Sequence, residues 1–239
     1  MAPQPETQEY PDTALNASSL LFLFLAMGIG LLAAIVILPA WLPHLANSLA
    51  GPDPKAYWYL SRGSAFVALS LLWLSMALGL LMTNKMARTW PGVPASFSLH
   101  EYLSLLGLGF AMFHALILLG DQYSNFSLAQ IAIPFLSSYQ PIWVGLGQVG
   151  FYAMLVLTLS FYVRAQIGQK TWRVLHYASF ITYVMALFHG LAAGSDTTLP
   201  WAQTYYWVSG GSLLFLLFYR MAVSLTPRSI PAPASRPAN

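Results

Sequence analysis

Residues 98–120, SLHEYLSLLGLGFAMFHALILLG, form an apolar run of membrane-spanning length that carries two histidines, His100 and His114, fourteen residues apart. At a rise of about 1.5 Å per residue, this separation is about 21 Å, close to four helical turns. The two imidazoles should therefore leave the helix on similar faces, near opposite sides of a bilayer core.

A second run, residues 171–194 (TWRVLHYASFITYVMALFHGLAAG), repeats this arrangement with His176 and His189, thirteen residues apart. Two helices that each offer an upper and a lower histidine can hold two porphyrin irons, with one axial ligand per helix for each iron. The pattern predicts two stacked haem sites between these helices.

The composition is that of an integral membrane protein. Of the 239 residues, 57% are hydrophobic and 7% are charged, and the mean hydropathy is +0.61, which excludes a water-soluble globular domain. The absence of cysteine excludes disulfides, thiolate-held iron–sulfur clusters, cysteine zinc sites and covalent haem attachment. The net charge of +3 comes from single basic residues beside apolar segments, which indicates membrane topology rather than nucleic-acid binding.

Six apolar segments predict an all-α membrane protein, a six-transmembrane-helix bundle in which spans three and five carry the histidines. Residues 1–18 are predicted to be a disordered tail, residues 19–223 the six-span domain, and residues 224–239 a disordered proline-rich tail. Within the long connection between spans three and four, the apolar stretch LAQIAIPFL is predicted to lie at the membrane interface and to cover one side of the protein. The predicted spans are residues 19–41, 57–83, 98–120, 142–163, 171–194 and 201–223.

The distribution of Lys and Arg predicts that both termini are cytoplasmic, in a membrane that we expect to be a bacterial inner membrane. One side carries eight basic residues, against Lys55 and Arg62 on the other. We call the first side inner and the second outer. The eight inner residues are Lys85, Arg88, Arg164, Lys170, Arg173, Arg220, Arg228 and Arg236.

This orientation places the histidines in two pairs of matched depth. His100 and His176 lie near the inner edge, and His114 and His189 lie just below the outer edge. Zinc or di-iron sites need several ligands clustered within a few ångströms, which pairs about 20 Å apart do not supply. Each histidine taken alone favours hydrogen bonding between helices. Four histidines on two helices, at nearly equal spacing and matched depth, instead favour ligation. One conflict remains, because thirteen residues at 100° each leave the span-five histidines about 140° apart around an ideal helix.

Other residues near these levels have two interpretations each. Arg62 in span two is level with the outer histidines and either pairs with haem propionates or extends to the lipid headgroups. Gly107 and Gly109 either admit a porphyrin or pack helices. Glu101 is expected to point to water rather than to tune a haem ligand. Trp172 either packs against haem or, as is usual near the end of a span, lies in the interfacial aromatic belt. Lys85, Arg88 and Arg173 are either partners of inner propionates or topology signals.

The sequence resembles the ferric reductase-like transmembrane domain of NADPH oxidases, ferric reductases and the membrane haem subunit of the bacterial periplasmic methionine sulfoxide reductase system. The resemblance rests on the histidine spacings, on SRGSAF around Arg62, and on WRVLH and ALFHG in span five. It covers residues 57–194 well and all six spans in outline. It implies two haem b groups, one held by His100 with His176 and one by His114 with His189, with Arg62 beside the outer group.

Complete members of that family carry cytoplasmic flavin and nicotinamide domains after span six, whereas sixteen residues follow Val223 here. We therefore expect a separate electron donor on the inner side, either a flavoprotein or a quinol, and an outer acceptor that is a small molecule or a protein. The predicted function is that of a di-haem b-type transmembrane cytochrome, an oxidoreductase component with no catalytic side chain of its own. Two alternatives stay open: an anchor subunit of a larger membrane redox complex, and a haem-free membrane scaffold.

Overall fold

The computed structural model describes residues 16–41, 56–84, 86 and 92–225, and within them the regular structure is entirely helical. The helices are α1 (Ala17–Trp41), α2 (Ala56–Thr83), α3 (Val93–Leu116), α4 (Leu128–Ala132), α5 (Pro141–Tyr162), α6 (Arg164–Ile167), α7 (Gln169–Ala193) and α8 (Pro200–Leu225). A 3-10 turn, Ile117–Gly120, extends α3.

Six of these helices, α1, α2, α3, α5, α7 and α8, are long and apolar enough to cross a membrane. The prediction of an all-helical, multi-pass membrane protein is confirmed at this level. The orientation stays a prediction, since five of the ten basic residues that define it, Lys55, Lys85, Arg88, Arg228 and Arg236, lie outside the described residues.

The helix ends differ from the predicted spans by a few residues. α3 begins at Val93, five residues before the predicted start, because Gly92 at φ 97° and a proline in the first turn provide a helix start. α1 begins at Ala17 and α8 ends at Leu225, so residues 17–18 and 224–225 of the two predicted tails are helical. Apart from residue 16, the rest of both tails lies outside the described residues.

Two pairs of neighbouring helices build the part of the bundle that carries the histidines. α2 and α3 are antiparallel and approach closely at Gly107, where a Cβ atom would lie 3.4 Å from Leu71 Cβ and 3.6 Å from Leu72 N. α5 and α7 approach closely at Gly150, where a Cβ atom would lie 3.4 Å from Met185 Cβ. Small residues allow such approach between membrane helices.

Two apolar clusters flank the space between these pairs. One joins α2, α7 and α8 through Leu69, Tyr183 and Tyr206, and the other joins α1, α3 and α5 through Leu20, Leu108 and Met154. Hydrogen bonds between polar side chains add to the first cluster, since Trp73 Nε1 donates to Ser212 Oγ at 2.9 Å and the Ser70 and Tyr205 hydroxyls are 2.9 Å apart.

The connection between α3 and α5 folds over the outer end of the bundle. The side-chain amide of Gln148 donates to the carbonyls of Gln130 and Ile131, both at 2.7 Å, and its oxygen accepts the backbone N–H of Phe135 at 3.3 Å. The backbone of Phe135 has a φ of 67°, and its ring packs against Gly145. A Cβ atom at residue 145 would lie only 2.1 Å from the Phe135 ring. Gly145 is therefore required for this loop to dock.

Candidate functional site

The structure brings the four predicted histidines together in two pairs. In the outer pair, the ring centroids of His114 on α3 and His189 on α7 are 6.1 Å apart, with an angle of 69° between the rings. In the inner pair, the centroids of His100 and His176 are 6.0 Å apart, with an angle of 74°. Each pair takes one histidine from α3 and one from α7, as the depth argument predicts.

These separations fit an iron held between two imidazoles. A metal–imidazole nitrogen bond is about 2.0 Å long, and ring bonds of about 1.33 Å put the centroid about 1.1 Å from the nitrogen. Two rings on opposite sides of one metal therefore have centroids about 6.2 Å apart on the same bond lengths. Both histidine pairs lie within about 0.2 Å of that value.

Hydrogen bonds to backbone carbonyls define the protonated nitrogen in three of the four rings. His114 Nδ1 donates to the carbonyl of Ser61 at 2.8 Å, His100 Nδ1 to that of Ser75 at 2.9 Å, and His189 Nδ1 to that of Trp143 at 2.9 Å. A carbonyl oxygen only accepts, so Nδ1 carries the proton and Nε2 keeps its lone pair. This is the arrangement found for metal-bound histidines, whose second nitrogen donates to a carbonyl or a carboxylate.

Within the described part of the chain, no hydrogen bond reaches Nε2 in any of the four rings. Among the described residues, none of these Nε2 atoms is a fully buried atom without a partner; the four rings line the two cavities, so their lone pairs are accessible to a ligand there. An iron atom between the two rings of each pair would satisfy both lone pairs.

His176 is oriented by an aromatic ring instead of a carbonyl. Trp172, one turn earlier on α7, stacks on it with centroids 5.0 Å apart and an angle of 24°. The sequence did not predict this stacking of Trp172 on His176. Among the described residues, its buried Nε1 has no hydrogen-bond partner, so the inner site offers a donor to a ligand acceptor such as a carboxylate.

The two histidines of α7, which the sequence places about 140° apart around the helix, have different surroundings. His189 packs against α5, where a Cβ atom at Gly147 would lie 2.6 Å from the His189 ring, whereas His176 packs against Trp172 of its own helix. The two rings therefore leave α7 on different sides and still reach the α3 histidines.

Each histidine pair opens into its own cavity. The outer cavity has a volume of about 410 Å³ and the inner cavity of about 1170 Å³, compared with about 300–1,000 Å³ for typical small-molecule sites. Leu72, Met154 and Thr182 line both cavities and so lie between them. Both are lined mainly by apolar side chains, as expected for a macrocycle site.

Arg62 lines the outer cavity, as its predicted depth requires, but it already has a carboxylate partner. Its guanidinium forms a two-point ion pair with Asp196, in which Nε donates to Oδ2 at 2.9 Å and an Nη donates to Oδ1. It also lies over the Tyr59 ring, 5.5 Å from the centroid. The sequence did not predict this carboxylate partner. Both interpretations of Arg62, as a partner of haem propionates and as an arginine extending to the headgroups, stay predictions, since Asp196 does not use all of its N–H groups.

One further expectation is corrected at the inner level. Glu101 does not point to water alone: it lines the inner cavity and accepts a hydrogen bond from the Tyr162 hydroxyl at 2.7 Å. Of the two glycines with two interpretations, Gly107 both packs helices and lines the outer cavity, and Gly109 packs against Met27 of α1. Lys85 and Arg88 lie outside the described residues, Arg173 is exposed, and Arg220 lines the inner cavity and donates to the carbonyl of Thr83 at 3.3 Å.

The described residues contain no group of three or more His, Asp or Glu side chains that could hold a metal ion. The histidines occur as pairs, which suits a planar macrocycle that supplies the other four ligands itself.

Comparison with protein-family models, curated proteins and solved structures gives no match. The resemblance to the ferric reductase-like domain therefore rests on the residues quoted above.

We expect the Arg62–Asp196 pair to stabilise the outer end of the bundle. A double-mutant cycle with Arg62→Gln and Asp196→Asn should give a coupling free energy on the order of 1 kcal/mol, between the values of exposed and buried pairs. The measurement is thermal unfolding of the four proteins in detergent. Additive effects of the two single substitutions would contradict a direct pair.

Proposed function

We propose that this protein is a di-haem b-type transmembrane cytochrome that carries electrons between an inner donor and an outer acceptor. The observation that supports this most is the pairing of histidines from α3 and α7 at two heights, each pair at the separation of two imidazoles on one iron. His100 and His176 would hold the inner haem, and His114 and His189 the outer one.

The chain's own residues prepare both positions. Backbone carbonyls on α2 and α5 orient three imidazoles so that Nε2 is the nitrogen available to a metal. Both cavities have mainly apolar walls, and an apolar surrounding is one of the means by which a protein adjusts a haem potential. Bound haem would supply the one-electron redox chemistry, at two heights that together cross most of the bilayer.

The ends of the bundle differ in a way that suits entry on one side and exit on the other. The inner cavity is the larger one and is lined by Glu101, Arg220 and the unpartnered indole N–H of Trp172. The outer cavity lies beneath the loop held by Gln148 and beside the Arg62–Asp196 pair. We propose a flavoprotein or a quinol as the inner donor and a small molecule or a protein as the outer acceptor.

A haem-free scaffold explains this arrangement less well. Histidines that serve only to join helices need partners for both nitrogens in a membrane. In the described part of the chain the Nδ1 atoms of three rings have such partners, while the Nε2 atoms of all four have none.

The haem content of the purified protein tests the proposal. We expect a pyridine haemochrome assay to give two haem b per chain, and a dithionite-reduced minus oxidised spectrum to show b-type Soret and α bands. The His114→Ala protein should contain one haem per chain, because the outer iron loses an axial ligand.

The matched control is His44→Ala, which removes a histidine outside the two pairs and should leave both haems in place. A wild-type protein that has no b-type bands after expression with an adequate haem supply would refute the proposal. A His114→Ala protein that retains both haems would refute the pairing.

The space around His189 gives a second, independent test. In a Gly147→Ala protein, the added Cβ would lie 2.6 Å from the His189 ring, so the ring must move and the outer haem should be lost or its absorption bands shifted. Gly211→Ala is the control, because a Cβ there meets nothing within 4 Å. Equal spectra for the two variants would show that the position of His189 does not matter to the cofactor.

A further inference from the structure

Two serines on α2 repeat the spacing of the two histidines on α3. Ser61 and Ser75 are fourteen residues apart, as are His100 and His114. Because α2 and α3 are antiparallel, Ser61 meets His114 and Ser75 meets His100. Both serines are buried, with 3% of the surface of each exposed.

The two heights share the contacts to Nδ1. Each serine carbonyl accepts the Nδ1 proton of its histidine, at 2.8 Å in the outer site and 2.9 Å in the inner site. Each serine Oγ lies 3.0 Å from the same Nδ1. The two hydroxyl protons differ: Ser61 Oγ donates to the His114 carbonyl at 2.9 Å, whereas Ser75 Oγ lies 2.7 Å from the Ser104 hydroxyl, which itself donates to the His100 carbonyl at 2.8 Å.

In the part of the chain that the structure describes, no serine contacts the α7 histidines in this way. His189 is held by the backbone carbonyl of Trp143 and His176 by the Trp172 ring. At each height, therefore, one imidazole is in contact with a serine hydroxyl and its partner is not.

We propose that Ser61 and Ser75 are positioning residues that orient His114 and His100 and set the reduction potentials of the outer and inner haem separately. This inference rests on the proposed haem function. A hydrogen-bond acceptor at Nδ1–H makes the imidazole a stronger electron donor through Nε2, which favours ferric over ferrous iron. Each serine supplies two acceptors, the carbonyl and Oγ, and Oγ is the one that a substitution can remove.

Ser61→Ala and Ser75→Ala should therefore each make one haem easier to reduce. The backbone carbonyl remains, so we expect a moderate change of about threefold to tenfold in the ferrous-to-ferric equilibrium, which is about 28–59 mV at 59 mV per tenfold for one electron. The measurement is a redox titration of the purified holoprotein, followed in the α band. The component that is missing from the His114→Ala protein identifies the outer haem.

Ser70→Ala is the matched control. Ser70 lies between the two serines on the same helix, but its hydroxyl contacts the Tyr205 hydroxyl on α8 instead of a histidine. Both potentials should stay at their wild-type values in this variant.

The proposal predicts that Ser61→Ala shifts the outer component alone and Ser75→Ala the inner component alone. Unchanged potentials in haem-replete serine variants, or equal shifts in the Ser70→Ala protein, would overturn it and leave the haem function intact. Absence of haem from the wild-type protein would instead refute the function itself.

If an alanine variant loses haem, the threonine variant at the same position decides the outcome. Threonine retains a hydroxyl, so wild-type haem content and potential in Ser61→Thr or Ser75→Thr would support the role of Oγ. Loss of haem from the threonine variant as well would show that only side-chain volume matters there, and would overturn the proposal.

Discussion

A buried imidazole in a membrane must satisfy two nitrogens, and this requirement organises the centre of the bundle. The Nδ1–H groups of His100 and His114 are bonded to carbonyls on α2, which fixes the rotation of α3 against α2 at two places about 21 Å apart by helical rise. Once Nδ1 is satisfied in this way, Nε2 is the nitrogen that remains for a ligand. The α7 histidines lie opposite the α3 histidines, with ring centroids 6.0 Å apart in the inner pair and 6.1 Å apart in the outer pair.

The remainder of the described structure separates these positions from each other and surrounds them with mainly apolar side chains. Leu72, Met154 and Thr182 separate the two cavities. Gln148 holds the loop that covers the outer cavity, and Asp196 compensates the charge of Arg62 beside it. A guanidinium near a membrane edge would otherwise be costly, so the ion pair allows a cation to remain at the outer cavity with part of its hydrogen-bonding capacity unused.

The helical fold and the pairing of histidines follow from simple regularities in the sequence. Apolar length defines the spans, and a constant rise per residue places His100 with His176 and His114 with His189 at matched depths. The contacts of these residues with their neighbours depend on how each helix is rotated, which a single sequence does not specify. For this reason Trp172 on His176, Tyr162 on Glu101 and the loop docked on Gly145 could not be predicted.

Two missed contacts did leave a signal. The serine spacing on α2 equals the histidine spacing on α3, and antiparallel helices bring such equal spacings into register. Asp196 follows span five at its outer end, at the level where Arg62 needs a counter-charge. The depths of all polar residues in and beside the spans, and not only those of the histidines and Arg62, therefore carry information about both contacts.

The most direct test of the central claim is an anomalous difference map, collected at the iron absorption edge from crystals of the purified protein. The account predicts two iron peaks about 20 Å apart, as the helical rise between paired histidines requires, one between His100 and His176 and the other between His114 and His189. A map with no iron between the paired rings, or with iron bound elsewhere in the bundle, would contradict it.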